Sequence, residues 1–209
     1  MIDERDESAS SVKSHLTHCG IPGLGAVPYG LHVCHFYSSR LELLDALIPY
    51  FESGVSKNEQ CIWIASAPLG ITEIKIELAK FRHLEKAVST GQLQIIDAND
   101  WYGTSVALDS DGIQRWMDEE ARARAAGYQG LRITCNTGFV SRDHWSSLME
   151  YEKVLHERVK SFRIVACCSY DLLKCEPVDI LEIVSTHDAA LDRRDKNWQV
   201  FSQSGGPAF

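Results

Sequence analysis

Short apolar runs alternate with longer segments of helical periodicity along most of this chain. The apolar runs are rich in β-branched, aromatic and Cys residues, which favours buried strands. The segments between them carry apolar residues three or four positions apart, which favours amphipathic helices. This alternation is typical of βαβ units built on a largely parallel sheet. The pattern predicts strands at Leu31–Tyr37, Gln60–Ser66, Gln92–Asp97, Gln129–Cys135 and Phe162–Ser169.

The first helix is predicted to begin at Ser39, whose hydroxyl can cap the free amides while the Glu42 side chain reaches back, forming a capping box. Gly54 marks its end. Its inward stripe consists of Leu41, Leu44, Leu47, Ile48 and Phe51. Further helices are predicted at 70–88, 111–126, 143–160 and 177–186. In the helix at 143–160, the inward residues are Trp145, Leu148, Tyr151 and Leu155.

The two ends of the chain have a different composition from its middle. Ala189–Arg193 and Trp198–Phe201 flank a polar turn and predict an antiparallel hairpin at one edge of the sheet. The polar residues 1–19 predict a flexible arm and the Ser/Gly/Pro-rich residues 202–209 a flexible tail. Residues 20–201 are therefore predicted to form one α/β domain of three layers, with helices on both faces of a mostly parallel central sheet.

Charge and hydropathy exclude several classes of partner. The chain has 209 residues and a formal charge of −8, from 29 acidic and 21 basic residues. No basic run exceeds Arg193-Arg194, so we expect no direct binding to nucleic acid, which requires concentrated positive charge. The chain contains no apolar stretch long enough to span a bilayer, and its first residues are charged and Ser-rich rather than signal-like. These features predict a cytoplasmic protein without a membrane contact.

Known catalytic and phosphate-binding motifs are missing at the expected positions. The turn after the first predicted strand is Tyr37-Ser38-Ser39-Arg40, which has neither the Gly nor the Lys of a phosphate-binding loop, so no nucleotide cofactor is expected. No Gly-x-Ser-x-Gly nucleophile turn occurs in the sequence. A thiolate–imidazole pair of Cys168 and His187 remains a possible catalytic arrangement, but no third orienting group is evident.

The Cys and His residues are placed less randomly than their number suggests. The chain has seven cysteines and no secretion signal, which indicates reduced thiols. His32 and Cys34 lie two apart on one strand and therefore on one face, as do Cys168 and Tyr170 on another. Cys175 and His187 flank the last helix. These residues are interpreted either as core filling, as a ligand- or redox-sensing pocket, or as a metal or haem site. The candidate metal ligands are His32, Cys34, Cys168, Cys175 and His187.

Several segments together resemble the MEDS domain, a sensory module named for methanogen and methylotroph proteins. The opening Val27-Pro28-Tyr29-Gly30-Leu31-His32-Val33-Cys34-His35-Phe36-Tyr37 is similar to the family's Pro-aromatic-Gly-x-His-x-Cys-x-Phe-Tyr. The resemblance covers roughly residues 20–201. Its other segments are Ile48-Pro49-Tyr50-Phe51, Cys61-Ile62-Trp63, Gly127–Arg132, Cys168-Ser169-Tyr170 with Cys175, and His187 with Ala190-Leu191 and Trp198.

The resemblance implies a RecA-like fold without the phosphate loop, and a sensor of simple hydrocarbon derivatives in prokaryotic signalling. The pocket candidates that it implies are His32, Cys34, Tyr37, Asn136, Thr137, Cys168, Tyr170 and His187. The chain departs from the family pattern at Cys135 and Gly138, where a glycine and an aromatic residue are usual, so a roomier or differently lined pocket is expected.

The prediction from sequence is therefore a non-catalytic small-molecule sensor. It is expected to act through a partner protein, such as a histidine kinase or a transcription regulator, since a sensor without an output module needs one. The alternative is a metal- or haem-binding sensor that uses the Cys and His residues. The identity of the ligand and the partner, and whether the protein forms a homo-oligomer, are left open by the sequence.

Overall fold

The computed structural model describes residues 15–103, 110–194 and 197–202. Its main sheet has seven strands in the order β5-β4-β6-β7-β3-β8-β9. All neighbours pair in parallel except β8 and β9, which form an antiparallel hairpin at one edge. A separate antiparallel ribbon consists of β1 and β2. The strands are β1 (Leu16–His18), β2 (Ala26–Pro28), β3 (Leu31–Tyr37), β4 (Gln60–Ala65), β5 (Leu93–Asp97), β6 (Leu131–Asn136), β7 (Ile164–Asp171), β8 (Ala189–Arg194) and β9 (Asn197–Ser202).

Helices cover both faces of this sheet. They are α1 (Arg40–Ser56), α2 (Ile71–Leu78), α3 (Arg82–Ser89), α4 (Ala98–Tyr102), α5 (Ser110–Ala125), α6 (Trp145–Val159) and α7 (Pro177–Ser185). Single 3₁₀ turns lie at Thr137–Phe139, Arg142–His144 and Leu172–Lys174. The α/β class, the parallel sheet and the terminal hairpin predicted from sequence are confirmed. Among the described residues, no helix is long and apolar enough to cross a membrane.

The central strands are buried on both faces, which explains their nearly continuous apolar sequence. All residues of β3, β4 and β6 are buried. A parallel strand covered by helices on both sides must fill two cores, so both sets of alternate side chains are excluded from water. On what we call the α1 face, Val33 and Val165 pack with α1, α2 and α3. On the opposite face, called the α6 face, Cys34 and Cys168 pack beneath α6 and α7.

The predicted helix at 70–88 is wrong in one respect, because it is two helices. Phe81 has an extended backbone and immediately precedes α3. The buried residues are Ile74 and Leu78 in α2, and Leu84 and Ala87 in α3. Leu84 follows Leu78 by six positions, which in a continuous helix would turn it about 240° away from the buried stripe. The break allows both helices to bury their apolar residues.

The end of the predicted N-terminal arm belongs to the folded part of the chain. Leu16–His18 pairs with Ala26–Pro28, and both Thr17 and Cys19 are buried. Residues 15–19 therefore contribute to the domain, while the rest of the arm and residues 203–209 of the tail lie outside the described residues.

A buried ion pair holds this ribbon against the sheet. The guanidinium of Arg132, on β6, donates from Nε to Glu59 Oε2 at 2.6 Å, and both side chains are inaccessible to solvent. Its other nitrogens donate to the carbonyl oxygens of His18, Cys19 and Tyr50. The other oxygen of Glu59 accepts from the hydroxyls of Thr17 and Tyr29. We call these residues the arginine network.

Candidate functional site

Two predicted site residues meet on the α6 face of the sheet. His32 lies on β3 and Cys168 on the neighbouring β7, and both strands run in the same direction. Even-numbered residues of each strand point to this face, so both side chains enter the same layer. His32 Nε2 lies 3.3 Å from Cys168 Sγ, and both residues are buried. The structure therefore brings together two residues that were candidates for the same site.

Glu152, which the sequence analysis missed, completes this group from above. It lies on α6, and its Oε2 is 3.3 Å from His32 Nε2. A signal for it was present in the sequence. Glu152 follows Leu148 by four positions and precedes Leu155 by three, so it lies on the inward face of the helix. A carboxylate within such an apolar stripe indicates a functional or paired group, because burying a charge alone is costly.

His187 supplies the fourth member from the loop after α7. Its ring centroid is 4.1 Å from that of His32, and its Nε2 is 3.7 Å from Glu152 Oε2. Its Nδ1 lies 2.7 Å from the carbonyl oxygen of Ile183. Because a carbonyl can only accept a hydrogen bond, Nδ1 carries the proton. In the neutral ring, Nε2 then presents its lone pair towards Glu152. His32, Glu152, Cys168 and His187 are called the buried cluster below.

Burial determines the protonation of the buried cluster. It lowers the pKa of His32 to about 3 and that of His187 to about 3, so both imidazoles are neutral at physiological pH. Burial also raises the pKa of the Cys168 thiol well above its usual range. For Glu152, burial raises the pKa, and the nearby His187 and Tyr170 oppose this shift. The environment thus disfavours charge on every member unless something compensates for it.

Hydrogen bonding within the buried cluster is incomplete. Among the described residues, Glu152 Oε2 and His32 Nδ1 are buried and make no hydrogen bond, although two imidazoles approach that carboxylate oxygen. No Lys or Arg side chain of the described part of the chain pairs with Glu152. Buried polar groups are usually satisfied, so these unpaired atoms call for an explanation.

Three of the other pocket candidates are near the opposite face or the strand ends, away from the cluster. The Tyr37 hydroxyl donates to Asn136 Oδ1 at 3.0 Å, and Asn136 also bonds to Ala67 O and to the amide of Gly138. Thr137 Oγ1 donates to the carbonyl of Ser169. These bonds hold adjoining strand ends together. The structure therefore separates the predicted candidates into two groups.

The remaining candidates pack around the cluster or lie beyond it. Cys34 is the Cα partner of Cys168, but its thiol is directed at Ala189 O, at 3.6 Å. The ring of Tyr170 packs edge-on to His187, with centroids 5.9 Å apart. Cys175 is half-buried and its thiol donates to Asp171 O. The set of potential metal ligands therefore includes Glu152 and excludes both Cys34 and Cys175 among the described residues.

An open groove of about 400 Å³ lies on the same face of the sheet, towards the carboxyl ends of the strands. Its walls come from β3, β8, β9, the turn after β7 and helix α7. We call it the apolar groove, because its lining is Phe36, Leu172, Ile180, Val184, Ala190 and Phe201 with one carboxylate, Asp192. Phe36 and Ala190 pack with Cys34 and Cys168 in one apolar cluster, so the groove adjoins the layer that holds the buried cluster.

A smaller cleft of about 190 Å³ includes Thr137, Gly138 and Cys175. The sequence predicted more room where Gly138 replaces an aromatic residue. The structure shows instead that a Cβ at this position would lie 2.1 Å from Ala67 O. Gly138 therefore permits a close approach of two loops, and the expectation of a roomier or differently lined pocket stays a prediction.

Two of the amides around the start of α1, where a phosphate would bind in related folds, already donate to side chains of the helix terminus. Ser39 Oγ accepts from the amide of Glu42 at 3.2 Å, and Glu42 Oε2 accepts from the amide of Ser38 at 2.7 Å. The Ser39 cap predicted from sequence is thus present, but the predicted capping box is not formed, because Glu42 bonds to the amide of Ser38 and not to that of Ser39. A carboxylate at this helix terminus takes the place of an anionic ligand and would repel one.

These features define a RecA-like α/β domain whose first strand-to-helix turn lacks a phosphate-binding loop. The fold is similar to the crystal structure of a KaiC-like protein from the hyperthermophilic archaeon Pyrococcus horikoshii. The TM-score is 0.57 and the identity 18%, over 90% of this chain and 88% of that one. No curated protein sequence matches the chain.

The family of the chain is shown by its sequence. The family model of the MEDS domain, described as the methanogen/methylotroph, DcmR sensory domain, matches residues 31–188. The chain therefore belongs to the MEDS family of sensory domains, and the resemblance stated from its motifs is confirmed.

Proposed function

We propose that this protein is a non-catalytic sensor of a small organic molecule, which binds in the apolar groove and alters how a partner protein recognises the domain. The observation that carries the proposal is the groove itself. Its volume and its apolar lining with a single carboxylate are typical of sites for small organic ligands. Membership of a sensory-domain family supports the same role.

The chemistry of the thiols supports a non-catalytic role. Cysteine nucleophiles react as thiolates, which need a lowered pKa. Burial instead raises the pKa of Cys168 and of Cys34 well above the usual value. His187, the conceivable base for Cys168, has its Nδ1 bonded to a backbone carbonyl and faces Glu152. A thiolate–imidazole nucleophile at this position is therefore disfavoured by its own surroundings.

The surface beside the groove supports action through a partner, such as a histidine kinase or a transcription regulator. Val178 and Leu181 lie three positions apart on α7 and are exposed, and Leu173 and Phe201 are exposed on adjoining elements. Exposed apolar residues gathered near one groove are characteristic of interaction surfaces. A ligand that contacts α7 can change the partner's affinity only if it binds the two forms of the domain differently.

The eight pocket candidates from the sequence do not line this groove. Tyr170 packs against the wall of the groove, because its ring centroid lies 6.0 Å from that of Phe36. A direct contact between the ligand and His32, Cys34, Cys168 or His187 stays a prediction. A porphyrin is not favoured at the buried cluster, since the ligand atoms lie within 4.8 Å of one another and leave room for a single ion.

The proposal is tested by titrating the purified protein with a panel of simple hydrocarbon derivatives, such as chlorinated alkanes, short alcohols and methylated amines, followed by calorimetry and ligand-observed NMR. Val184→Trp should fill the groove and abolish binding. Val178→Trp, on the exposed side of the same helix, is the matched control and should bind like the wild type. Absence of saturable binding to every compound, or equal binding by both variants, would contradict the proposal.

A further inference from the structure

The buried cluster has the donor set and the spacing of a metal site. His32 and His187 offer imidazole nitrogens, Cys168 offers sulfur and Glu152 offers a carboxylate oxygen, and all four ligand atoms lie within 4.8 Å of one another. Nitrogen, sulfur and carboxylate ligands in a set of four are the preference of Zn²⁺ in proteins. These residues come from β3, α6, β7 and the loop after α7, so the fold itself assembles the set.

Three of the six separations between these ligand atoms are close to those of a tetrahedron around one ion. Zn²⁺ bonds of about 2.0–2.3 Å place tetrahedral ligands about 3.3–3.6 Å apart. His32 Nε2 is 3.3 Å from both Cys168 Sγ and Glu152 Oε2, and His187 Nε2 is 3.7 Å from Glu152 Oε2. Side chains that merely fill a core have no reason to bring four unlike ligand atoms to this separation.

A second observation also indicates a ligand between these side chains. Glu152 Oε2 is completely buried and has no hydrogen-bond partner within the described ranges, although both imidazoles are directed at it. Nδ1 of His187 is bonded to Ile183 O, which leaves Nε2 as the atom that faces the cluster. Metal-bound histidines commonly donate their other ring nitrogen to a backbone carbonyl in this way.

We propose that the buried cluster is a zinc site, with His32 Nε2, Glu152 Oε2, Cys168 Sγ and His187 Nε2 as ligands. Binding releases the thiol proton of Cys168 to solvent, so the ion is held by a thiolate, a carboxylate and two neutral imidazoles. The complex has no net charge, which suits a site closed to water. The site is distinct from the apolar groove, and the proposal does not depend on the groove's ligand.

Cobalt is the spectroscopic probe for this site. The full-length protein is unfolded with chelator present, refolded with Co²⁺, and then titrated with Zn²⁺. We expect one Co²⁺ per chain, visible bands of tetrahedral cobalt and a near-ultraviolet thiolate-to-cobalt band, all displaced by Zn²⁺. Zn²⁺ should also raise the midpoint of unfolding, because it binds the assembled site of the folded protein more tightly than the separate Cys and His residues of the unfolded chain.

Neighbouring cysteines provide a matched pair of variants. Cys168→Ser should abolish the thiolate band, whereas Cys34→Ser should retain it, because the Cys34 thiol is directed at Ala189 O. Glu152→Gln should keep the band and weaken metal binding by at least about 10-fold. If Cys168→Ser does not refold, as judged by far-ultraviolet circular dichroism, His187→Gln replaces it and should weaken binding by a similar factor.

The proposal is overturned if the wild-type protein refolds without taking up Co²⁺, or if its spectrum lacks the thiolate band. It is equally overturned if Cys34→Ser loses the band as completely as Cys168→Ser. Failure of the groove titration would leave all these results unchanged, so the two proposals can fail separately.

Discussion

Two buried polar groups lie on opposite faces of the same sheet and differ in how completely they are satisfied. In the arginine network, Glu59 accepts three hydrogen bonds and Arg132 donates to one carboxylate and three carbonyl oxygens. In the buried cluster, Glu152 has no cationic side chain as a partner within the described ranges, and its Oε2 makes no hydrogen bond. Burial is similar in both, and only the pairing differs.

This difference separates a structural role from a binding role. A buried charge that is fully paired fixes the arrangement of the elements that supply its partners. A buried carboxylate without such partners costs stability, and it persists where a ligand, a proton or an ion completes it. The arginine network joins the N-terminal ribbon to the sheet. The buried cluster instead has the unpaired carboxylate oxygen that is expected of a binding site.

The largest expected effect comes from breaking the arginine network. Arg132→Ala leaves Glu59 buried without its cation, and removing one member of a buried pair costs up to about 5 kcal/mol. The free energy of unfolding in urea, followed by Trp fluorescence, measures this loss. Arg132→Lys keeps the charge without the planar fork and should lose less. A free energy of unfolding of Arg132→Ala within about 1 kcal/mol of the wild-type value would contradict a structural role of the arginine network.

The same change made in both carboxylates tests the comparison directly. Glu59→Gln leaves Arg132 uncompensated and should cost about 3 kcal/mol. Glu152→Gln, measured in chelator, removes a carboxyl whose pKa is raised by burial, so we expect no loss or a gain of up to about 1 kcal/mol. Equal destabilisation by the two variants would show that the clusters do not differ in kind.

A third buried polar group, His35, lies on the α1 face and should make stability depend on pH. Burial lowers the pKa of His35 to about 3, and Asp192 opposes this shift. The unfolded chain takes up a proton on His35 near pH 6.5, whereas the folded chain takes it up only near pH 3. Between these values His35 therefore lowers the free energy of unfolding by about 1.4 kcal/mol for each pH unit of acidification, in addition to the contributions of His32 and His187. His35→Phe should reduce the slope of the free energy of unfolding against pH by about 1.4 kcal/mol per pH unit.

The control for the pH experiment is Ser169→Ala, which removes the hydroxyl 3.4 Å from His35 Nδ1 and retains the buried imidazole. Its stability should fall with acid as steeply as that of the wild type. If His35→Phe and Ser169→Ala have the same slope, the imidazole is not the responsible group.

The smallest effect is expected at an exposed ion pair. Arg122 contacts Glu119 one turn away on α5, and its side chain is largely exposed. Arg122→Ala should change the free energy of unfolding by less than about 0.5 kcal/mol, because exposed pairs contribute little. The urea unfolding used for Arg132→Ala provides the measurement. A loss as large as that of Arg132→Ala would mean that burial does not decide the effect.

The sequence predicted most of the fold because the fold depends on local patterns. Alternating apolar runs located the strands, and the cap at Ser39 and the first-turn Pro177 located helix starts. The break between α2 and α3 was missed, because no Gly or Pro marks Lys80 or Phe81, and only the offset of Leu84 from Leu78 indicates it. The ribbon at Leu16–His18 was missed, because the burial of this short segment depends on distant partners such as Glu59.

The candidate site was predicted in part. His32, Cys168 and His187 were singled out by residue type. The parallel pairing of β3 and β7 places His32 near Cys168, and the loop after α7 brings His187 against His32. Glu152 was passed over because acidic residues on helices are usually exposed, although its position on the inward stripe argued otherwise. Tyr37 and Asn136 were grouped with the others because the family resemblance implied it, whereas their hydrogen bonds join strand ends and a loop. Partners from distant parts of the chain cannot be read from spacing alone.

The ribbon carbonyls bonded by Arg132 set a lower limit on the length of polypeptide that can fold by itself. A fragment cut to the family match at residues 31–188 would lack the acceptors at His18 and Cys19 and also the Thr17 hydroxyl. It would lack Trp198 as well, whose ring lies 5.7 Å from that of His35. Expression trials and domain transplants should therefore start upstream of Leu16 and continue through Ser202, since the boundary of recognisable sequence falls inside the cooperative unit.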